Sequence, residues 1–359
     1  MAQGRNKQGQ IDLFPGEDPV LDPAPVGADA TVHDILREKG GRKGAAVYAM
    51  ATLPEPGRRA PVDLLAGPRG PRIIMAAAET AEALAATGAQ EGAAGYVYSG
   101  WCLLGLPFRK PKGQAEHAWR IDTHYAAIVV EGGSKAMDDG SLRQVGVPFG
   151  AYARLIQVAI GSDCLERGSR DIELGTTAYA VLRRLGLPDG GKVADSVLEQ
   201  MERLARCRVS FRIGSDTKGF VINDRIIEAF EYDTDSSRRP FIRRLRLSQA
   251  YYDSLQRHPV VIDRDAVGRI RNSALALDVY LWLCYRLPAL DEDTPISWAA
   301  LRAQFGHGVT ALKHFKAPFA ESLELARSVY PAAQFEVVPQ GIILRPSPPP
   351  KKTRLIGTA

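Results

Sequence analysis

From residue 96 onward the chain alternates between two hydrophobic periods, and each change of period marks a new element. Apolar blocks at 96–106 and 121–131 read as strands, separated by a basic, Pro-containing loop at 107–113. After Pro148 the spacing becomes three and four, and Ala153, Leu155, Ile156 and Ile160 predict a helix. A short strand follows at 171–174. Thr176 or Thr177 then caps a helix that ends at Gly186. The Gly190-Gly191 turn precedes a longer helix over 192–206, with Val193, Val197, Gln200, Met201 and Leu204 on its inner face. Strands at 207–213, 219–229 and 241–247 complete this unit.

The order then repeats. A short strand at 294–296 leads to a helix capped by Ser297 and ended by Gly306. A longer helix begins near Val309, and a hairpin at 334–338 and 341–344 turns at Pro339-Gln340. Thr177-Ala-Tyr-Ala-Val-Leu-Arg-Arg-Leu-Gly186 matches Ser297-Trp-Ala-Ala-Leu-Arg-Ala-Gln-Phe-Gly306 in its cap, apolar positions and terminal glycine. An offset of about 120 residues indicates two domains of one fold and not a solenoid. Strand, helix, turn, helix and β-hairpin is the winged-helix variant of helix-turn-helix. The expected architecture is therefore α+β, with two tandem winged-helix domains at 96–247 and 248–346. Between the two units lie a helix at 248–256 and a strongly apolar helix at 272–287 that anchors the second core.

Residues 1–95 are rich in Ala, Gly and Pro and poor in aromatic residues, so they predict a largely flexible N-terminal region. Local helices are expected at 32–39 and, from alanine propensity, at 76–86. The Pro- and Lys-rich tail at 347–359 is expected to be disordered. The polar start lacks the apolar core of a signal peptide, and no apolar run is long enough to span a bilayer, so a cytoplasmic protein without membrane contact is expected.

Net charge of +5 fits a polyanionic partner, but its placement matters more. On the second long helix, Leu312, Phe315, Phe319, Leu323 and Ala326 face the core. Thr310, Lys313, His314 and Lys316 project elsewhere near its N-terminal end, where a recognition helix reads bases and its cations meet phosphates. An ordinary solvated face fits the same residues. Pro318 predicts a kink or a break. In the first unit the equivalent surface carries Lys192, Asp195, Ser196, Gln200 and Arg203, suited to a weaker DNA contact or a partner surface. Arg238-Arg-Pro-Phe-Ile-Arg-Arg-Leu-Arg246 holds five arginines, Arg238, Arg239, Arg243, Arg244 and Arg246, without an acid. In a strand Arg244 and Arg246 share one face, opposite Phe241, Arg243, Leu245 and Leu247. As a wing strand it would lie along a phosphate backbone; as an edge strand its charge would block further pairing. Arg109 and Lys110 add cations to the first basic loop.

Catalytic chemistry is not indicated. Gly186-Leu-Pro-Asp-Gly-Gly-Lys192 lacks the Ser or Thr that would hold magnesium, since Val193 stands there, and it follows a helix where a phosphate loop follows a strand. His33, His117, His124, His258, His307 and His314 form no metal or hydrolase motif, and no cofactor is implied. Cys102, Cys164, Cys207 and Cys284 are far apart and read as buried thiols.

Near the start, Gln10-Ile-Asp-Leu-Phe14 places an apolar pair beside a polar anchor, which suits a short peptide that orders on binding: Leu13 and Phe14 in a pocket, Gln10 at its rim. It resembles the pentapeptides with which bacterial replication proteins hold the sliding clamp. From Trp101 the chain resembles the RepA-type plasmid replication initiators, the RepA C-terminal, iteron-binding family. The carrying residues are Gly105-Leu-Pro-Phe-Arg-Lys110, Val147-Pro-Phe-Gly-Ala-Tyr-Ala-Arg-Leu155, Arg170-Asp-Ile-Glu-Leu-Gly175, Gly190-Gly-Lys192, Gln256-Arg-His-Pro-Val260, Ala276-Leu-Asp-Val-Tyr-Leu-Trp-Leu283, Ala303-Gln-Phe-Gly306 and Val329-Tyr-Pro331. The resemblance implies a non-enzymatic protein that binds iterated origin repeats in double-stranded DNA. It implies dimerisation through the first domain, plasmid copy control, and recruitment of the host initiator DnaA and the replicative helicase. A winged-helix transcriptional repressor is the alternative.

Overall fold

The computed structural model describes residues 94–123, 126–187, 190–214, 219–236 and 238–351. The path begins with β1 (Ala94–Tyr98), which turns directly into a short helix, α1 (Ser99–Leu103). The apolar block at 96–106 is thus not one strand. Such runs do not distinguish strand from buried helix, and here the strand pairing of β1 ends at Tyr98. The block at 121–131 is a hairpin, β2 (Ala118–Asp122) and β3 (Ala126–Glu131), whose turn is closed by the Thr123 hydroxyl donating to the Ala126 carbonyl at 2.8 Å. A small hairpin, β4 (Ser134–Ala136) with β5 (Leu142–Gln144), has no hydrophobic alternation to announce it.

Next comes α2 (Gly150–Arg167), which is buried on most of its circumference and therefore runs through the interior instead of lying on a surface. It ends at Gly168, whose left-handed φ of 63° lets Ser169 N–H reach the Cys164 carbonyl at 3.1 Å. The Ser162 hydroxyl on α2 accepts from Tyr96 N–H at 2.8 Å and pins β1 to it.

There follow β6 (Asp171–Glu173), α3 (Ala178–Arg184), α4 (Gly191–Arg206), β7 (Arg208–Gly214), β8 (Gly219–Arg225), β9 (Ile227–Thr234) and β10 (Pro240–Leu247). Thr177 caps α3, accepting from Ala180 N–H at 3.1 Å. The expected strand at 219–229 divides at the buried Ile226. Its first part, β8, pairs with β7 in a four-stranded antiparallel sheet ordered β2-β3-β7-β8. Its second part, β9, joins a three-stranded antiparallel sheet ordered β6-β10-β9.

The second half contains α5 (Gln249–Arg257), β11 (Pro259–Asp263), α6 (Arg264–Arg269), α7 (Ala274–Arg286), β12 (Thr294–Ser297), α8 (Trp298–Phe305), α9 (Leu312–Val329), β13 (Gln334–Val338) and β14 (Gly341–Arg345). Sequence periodicity does not announce β11 and α6. The last sheet is ordered β12-β14-β13 and is antiparallel throughout. One path therefore occurs twice: long buried helix, short strand, two helices, hairpin. In both copies the last strand sits between the first strand and its hairpin partner. The first copy differs in the β7–β8 insertion.

No break occurs at Pro318, and α9 continues past it to Val329. The tail also departs from expectation, because residues 347–351 are packed. Ser347 is buried, Tyr330 Oη donates to the Pro348 carbonyl at 2.5 Å, and Lys351 pairs with Asp263 at 3.2 Å. Those contacts offset the ordering entropy that composition alone does not.

The halves share one apolar cluster that extends from Tyr96 to Leu344. β1 pairs with β11 from Ala94↔Asp263 to Tyr98↔Pro259, so the first described strand belongs to the second half of the chain. Arg154 on α2 meets Asp278 on α7 in a buried two-point ion pair, at 2.5 and 2.6 Å. The remaining Arg154 protons go to the Gly150, Leu106 and Pro107 carbonyls at 2.8, 2.6 and 3.4 Å. Burial pushes the Asp278 carboxyl upward while Arg154 holds it down. A Cβ at Gly105 would lie 2.3 Å from Asp278 Oδ2, so this close approach requires glycine. Gln304 Nε2 on α8 donates to the Leu103 carbonyl at 2.7 Å.

Candidate nucleic-acid interface

The end of α9 is built by α8. Ser297 accepts from Ala300 N–H at 3.2 Å and starts α8, which stops at Gly306. Gly308, at φ 77°, then reverses the chain, and Arg302 Nη1 donates to the Thr310 carbonyl at 2.5 Å, holding the residues that enter α9. Thr310, Lys313 and His314 are exposed. Lys316 is half-buried, its ammonium 5.5 Å from the centre of the Trp298 ring. Phe315, Phe319, Leu323 and Ala326 face the core as expected, with Leu312 half-buried at the start. The first turn of α9 contains no acid. Among the described residues no ion pair or hydrogen bond engages the Lys313 or His314 side chain. A helix N-terminus favours an anion, and the exposed Lys313 ammonium adds positive charge beside it.

Beside this end lies the loop that carries Arg109 and Lys110, both exposed. Phe108 stacks on His307 in the turn between α8 and α9, with ring centres 5.3 Å apart and planes at 30°. Trp119 meets the same imidazole edge-on at 5.3 Å. Burial, then the Arg154 charge, push His307 down to about 4. Arg109 therefore sits next to the second copy's helical turn, although it comes from the first half of the sequence. Lys110 is paired with Glu116 at 3.3 Å.

In the first copy the predicted residues divide. Lys192 is exposed at the start of α4. The Ser196 hydroxyl donates back to the Lys192 carbonyl at 2.9 Å, within its own helix. Arg239 bonds Asp195 on α4 at 3.0 Å and Tyr179 on α3 at 3.3 Å, tying the start of the hairpin's second strand to both helices. Arg238 is exposed, with a left-handed φ of 57°. Arg203 does not belong to the surface. It is buried, bonded to Glu199 at 2.8 Å and to the Val147 carbonyl at 3.1 Å, and its guanidinium lies over Phe149. Helical spacing alone does not reveal that the 147–149 segment covers this face.

The arginines of β10 are also not an acid-free surface. Arg244 pairs with Glu173 on β6 and Glu231 on β9, Arg246 with Asp171 at 2.8 Å, and Arg243 with Glu231 at 3.7 Å. The Arg246 guanidinium holds Asp171 below the usual carboxylate range. Arg243 does not share the buried face of Phe241 and Leu245. The register shifts between Ile242 and Arg244, and this bulge turns Arg243 outward beside Arg244.

Gln10, Leu13 and Phe14 lie outside the described residues. The four cysteines are buried and free; burial pushes Cys164 and Cys207 up to about 12, so their thiols are unreactive at neutral pH. No group of three or more metal-ligating side chains gathers among the described residues. None of their helices is long and apolar enough to cross a membrane.

The molecule is thus an α+β protein in which a helix–strand–helix–helix–hairpin path is used twice, with an unengaged basic helix end in the second copy. Residues 147–300 match the family RepA_C, plasmid encoded RepA protein. The match bears out the family resemblance over these residues, from the start of α2 into α8. Gly105 to Lys110, Ala303 to Gly306 and Val329 to Pro331 lie outside it. Two crystal structures of domains 2 and 3 of RctB, one of selenomethionine derivatives, are similar to this chain. The first has TM-score 0.42 and 10% identity, covering 66% of this chain and 86% of that one. The second has TM-score 0.40 and 11% identity, covering 66% and 83%. No curated protein matches.

Proposed function

We propose that this protein is a plasmid replication initiator that binds iterated origin DNA through two winged-helix domains. The first comprises the α2–β6–α3–α4 path with the β9–β10 hairpin, and the second the α7–β12–α8–α9 path with the β13–β14 hairpin. The observation that supports this most is the repeated topology, since a three-stranded sheet flanked by a helix-turn-helix is the plan of a winged helix. The match of residues 147–300 to plasmid encoded RepA protein supports the biological setting.

In this reading α9 enters the major groove with Thr310, Lys313 and His314 toward base edges, while Arg109 and Lys192 meet phosphates. Lys316, held over Trp298, serves packing more than DNA contact. Adjacent copies on neighbouring repeats bend the duplex and favour melting of a nearby AT-rich segment, the deformation being offset by added phosphate contacts. Recruitment of DnaA and the replicative helicase, and dimerisation through the first domain, follow from the family resemblance. A clamp contact through Gln10, Leu13 and Phe14 completes the scheme.

The test is footprinting on origin repeats across a salt titration. Lys313→Ala is expected to change site preference, with a loss of about 1–3 kcal/mol at one base position. Arg109→Ala is expected to weaken all sites equally and to lower the salt slope by about one. Wild-type behaviour from both variants would remove the assignment. A transcriptional repressor built on the same modules predicts the same footprints, but deletion of residues 10–14 would then leave plasmid copy number unchanged.

A further inference from the structure

The basic loop after α1 belongs to the first half of the chain, yet its anchors come from both halves. Along its backbone the Leu103 carbonyl accepts from Gln304 on α8 at 2.7 Å, the Leu106 carbonyl from Arg154 on α2 at 2.6 Å, and the Pro107 carbonyl from Gly150 N–H at 2.8 Å. The Phe108 ring then lies against two groups: the His307 imidazole, with ring centres 5.3 Å apart, and the Arg154 guanidinium, 5.2 Å from the ring centre. On the far side of Arg109, Lys110 is tied to Glu116 at 3.3 Å. Arg109 is therefore an exposed cation between two anchored neighbours. Pro111 follows with its φ fixed by the ring, and Lys112 is exposed in extended backbone. Among the described residues no ion pair or hydrogen bond engages the Arg109 or Lys112 side chain.

A loop ordered before it meets a polyanion does not lose backbone freedom on association, so more of the attraction of its cations is realised as affinity. His307 precedes Thr310 by three residues, so the stack that fixes the loop to this imidazole also fixes it to the entrance of α9.

We propose that residues 109–112 are a preset phosphate clamp. Arg109 and Lys112 hold the DNA backbone beside the groove that α9 enters, and Phe108 and His307 are positioning residues that set the loop against the recognition helix. Lys110 secures the loop through Glu116 instead of binding phosphate. The clamp rests on the DNA-binding reading above, and adds to it a second cation and the device that places both.

Binding of the full-length chain to origin repeats across a salt titration tests the clamp. Arg109→Ala and Lys112→Ala are each expected to lower the salt slope by about one, so that each loses about fourfold less affinity than the wild type between about 50 and 200 mM salt. Phe108→Ala keeps both cations but releases them. It is expected to lower the slope in the same way, and adding Arg109→Ala to it is expected to weaken binding far less than Arg109→Ala does in the wild type. Phe108→Tyr, which keeps the ring, is expected to restore the wild-type slope. A thermal melt shows which variants are folded; should Phe108→Ala not fold, His307→Ala removes the other ring of the stack and is held to the same outcomes. A purely structural ring would change the melting temperature and not the slope. A wild-type slope in Phe108→Ala or Lys112→Ala, or additive losses in the double variant, would overturn the clamp. If Lys313→Ala still changes site preference in that case, the DNA-binding reading stands without the clamp; if no variant alters binding, both fall.

Discussion

Single side chains here take their roles from what packs beside them. Arg203 and Lys192 lie on the same helix, yet Arg203 is buried against Glu199 and Phe149 while Lys192 is open to a ligand. His307 is held between Phe108 and Trp119, and His314, seven residues later, is exposed. His307 yields a pH prediction. Its folded pKa of about 4 is below its ordinary value, so the unfolded chain binds the proton more readily. The associated stability is complete above pH ~6.5 and is lost as pH falls toward about 4, by an amount on the order of 3 kcal/mol. Urea unfolding at pH 7.5 and pH 4.5 should show His307→Phe losing less stability than the wild type. Equal losses would mean that the imidazole is not kept neutral by burial.

At the scale of elements, the β6-β10-β9 sheet carries a near-balanced ladder of charge. Arg243, Arg244 and Arg246 face Glu173, Glu231 and Asp171 across strands. Exposed pairs of this kind contribute little to stability, because water screens them and two long side chains lose freedom in making them. Under the proposed DNA-binding function, the acids would also keep the arginines from phosphate unless displaced. Glu231→Gln removes the carboxylate shared by Arg243 and Arg244. It is expected to leave thermal stability nearly unchanged, to raise affinity for repeat DNA at low salt, and to steepen the salt slope by about one. An unchanged slope would exclude this hairpin from the DNA contact.

Across the whole molecule, the two copies of the path are fused through a common interior. The β1–β11 pair, the Arg154–Asp278 ion pair and the Gln304–Leu103 hydrogen bond all cross between the halves. Removing one partner of a buried ion pair leaves a desolvated charge, at a cost of about 3–5 kcal/mol. Asp278→Asn is therefore expected to destabilise both halves together. Calorimetry should record one unfolding transition in the wild type and one, at lower temperature, in the variant. Two separated transitions would show that the halves fold independently and that the shared core is not cooperative.

Periodicity, caps and turn residues were sufficient to read the repeated helix–helix–hairpin path, because those signals are local: Thr177 and Ser297 cap helices wherever the chain goes. The exposed basic start of α9 was legible for the same reason, since Phe315, Phe319 and Leu323 leave Lys313 and His314 no other face. Strand pairing was not legible. Whether β8 joins β7 or β10, and that β1 joins β11 more than 150 residues away, depends on partners that no window of sequence contains. Tertiary structure alone decided which arginines are neutralised, because ion pairs form between residues far apart in the chain and near in space. It also turned Arg243 outward, through a bulge that hydrophobic alternation does not encode.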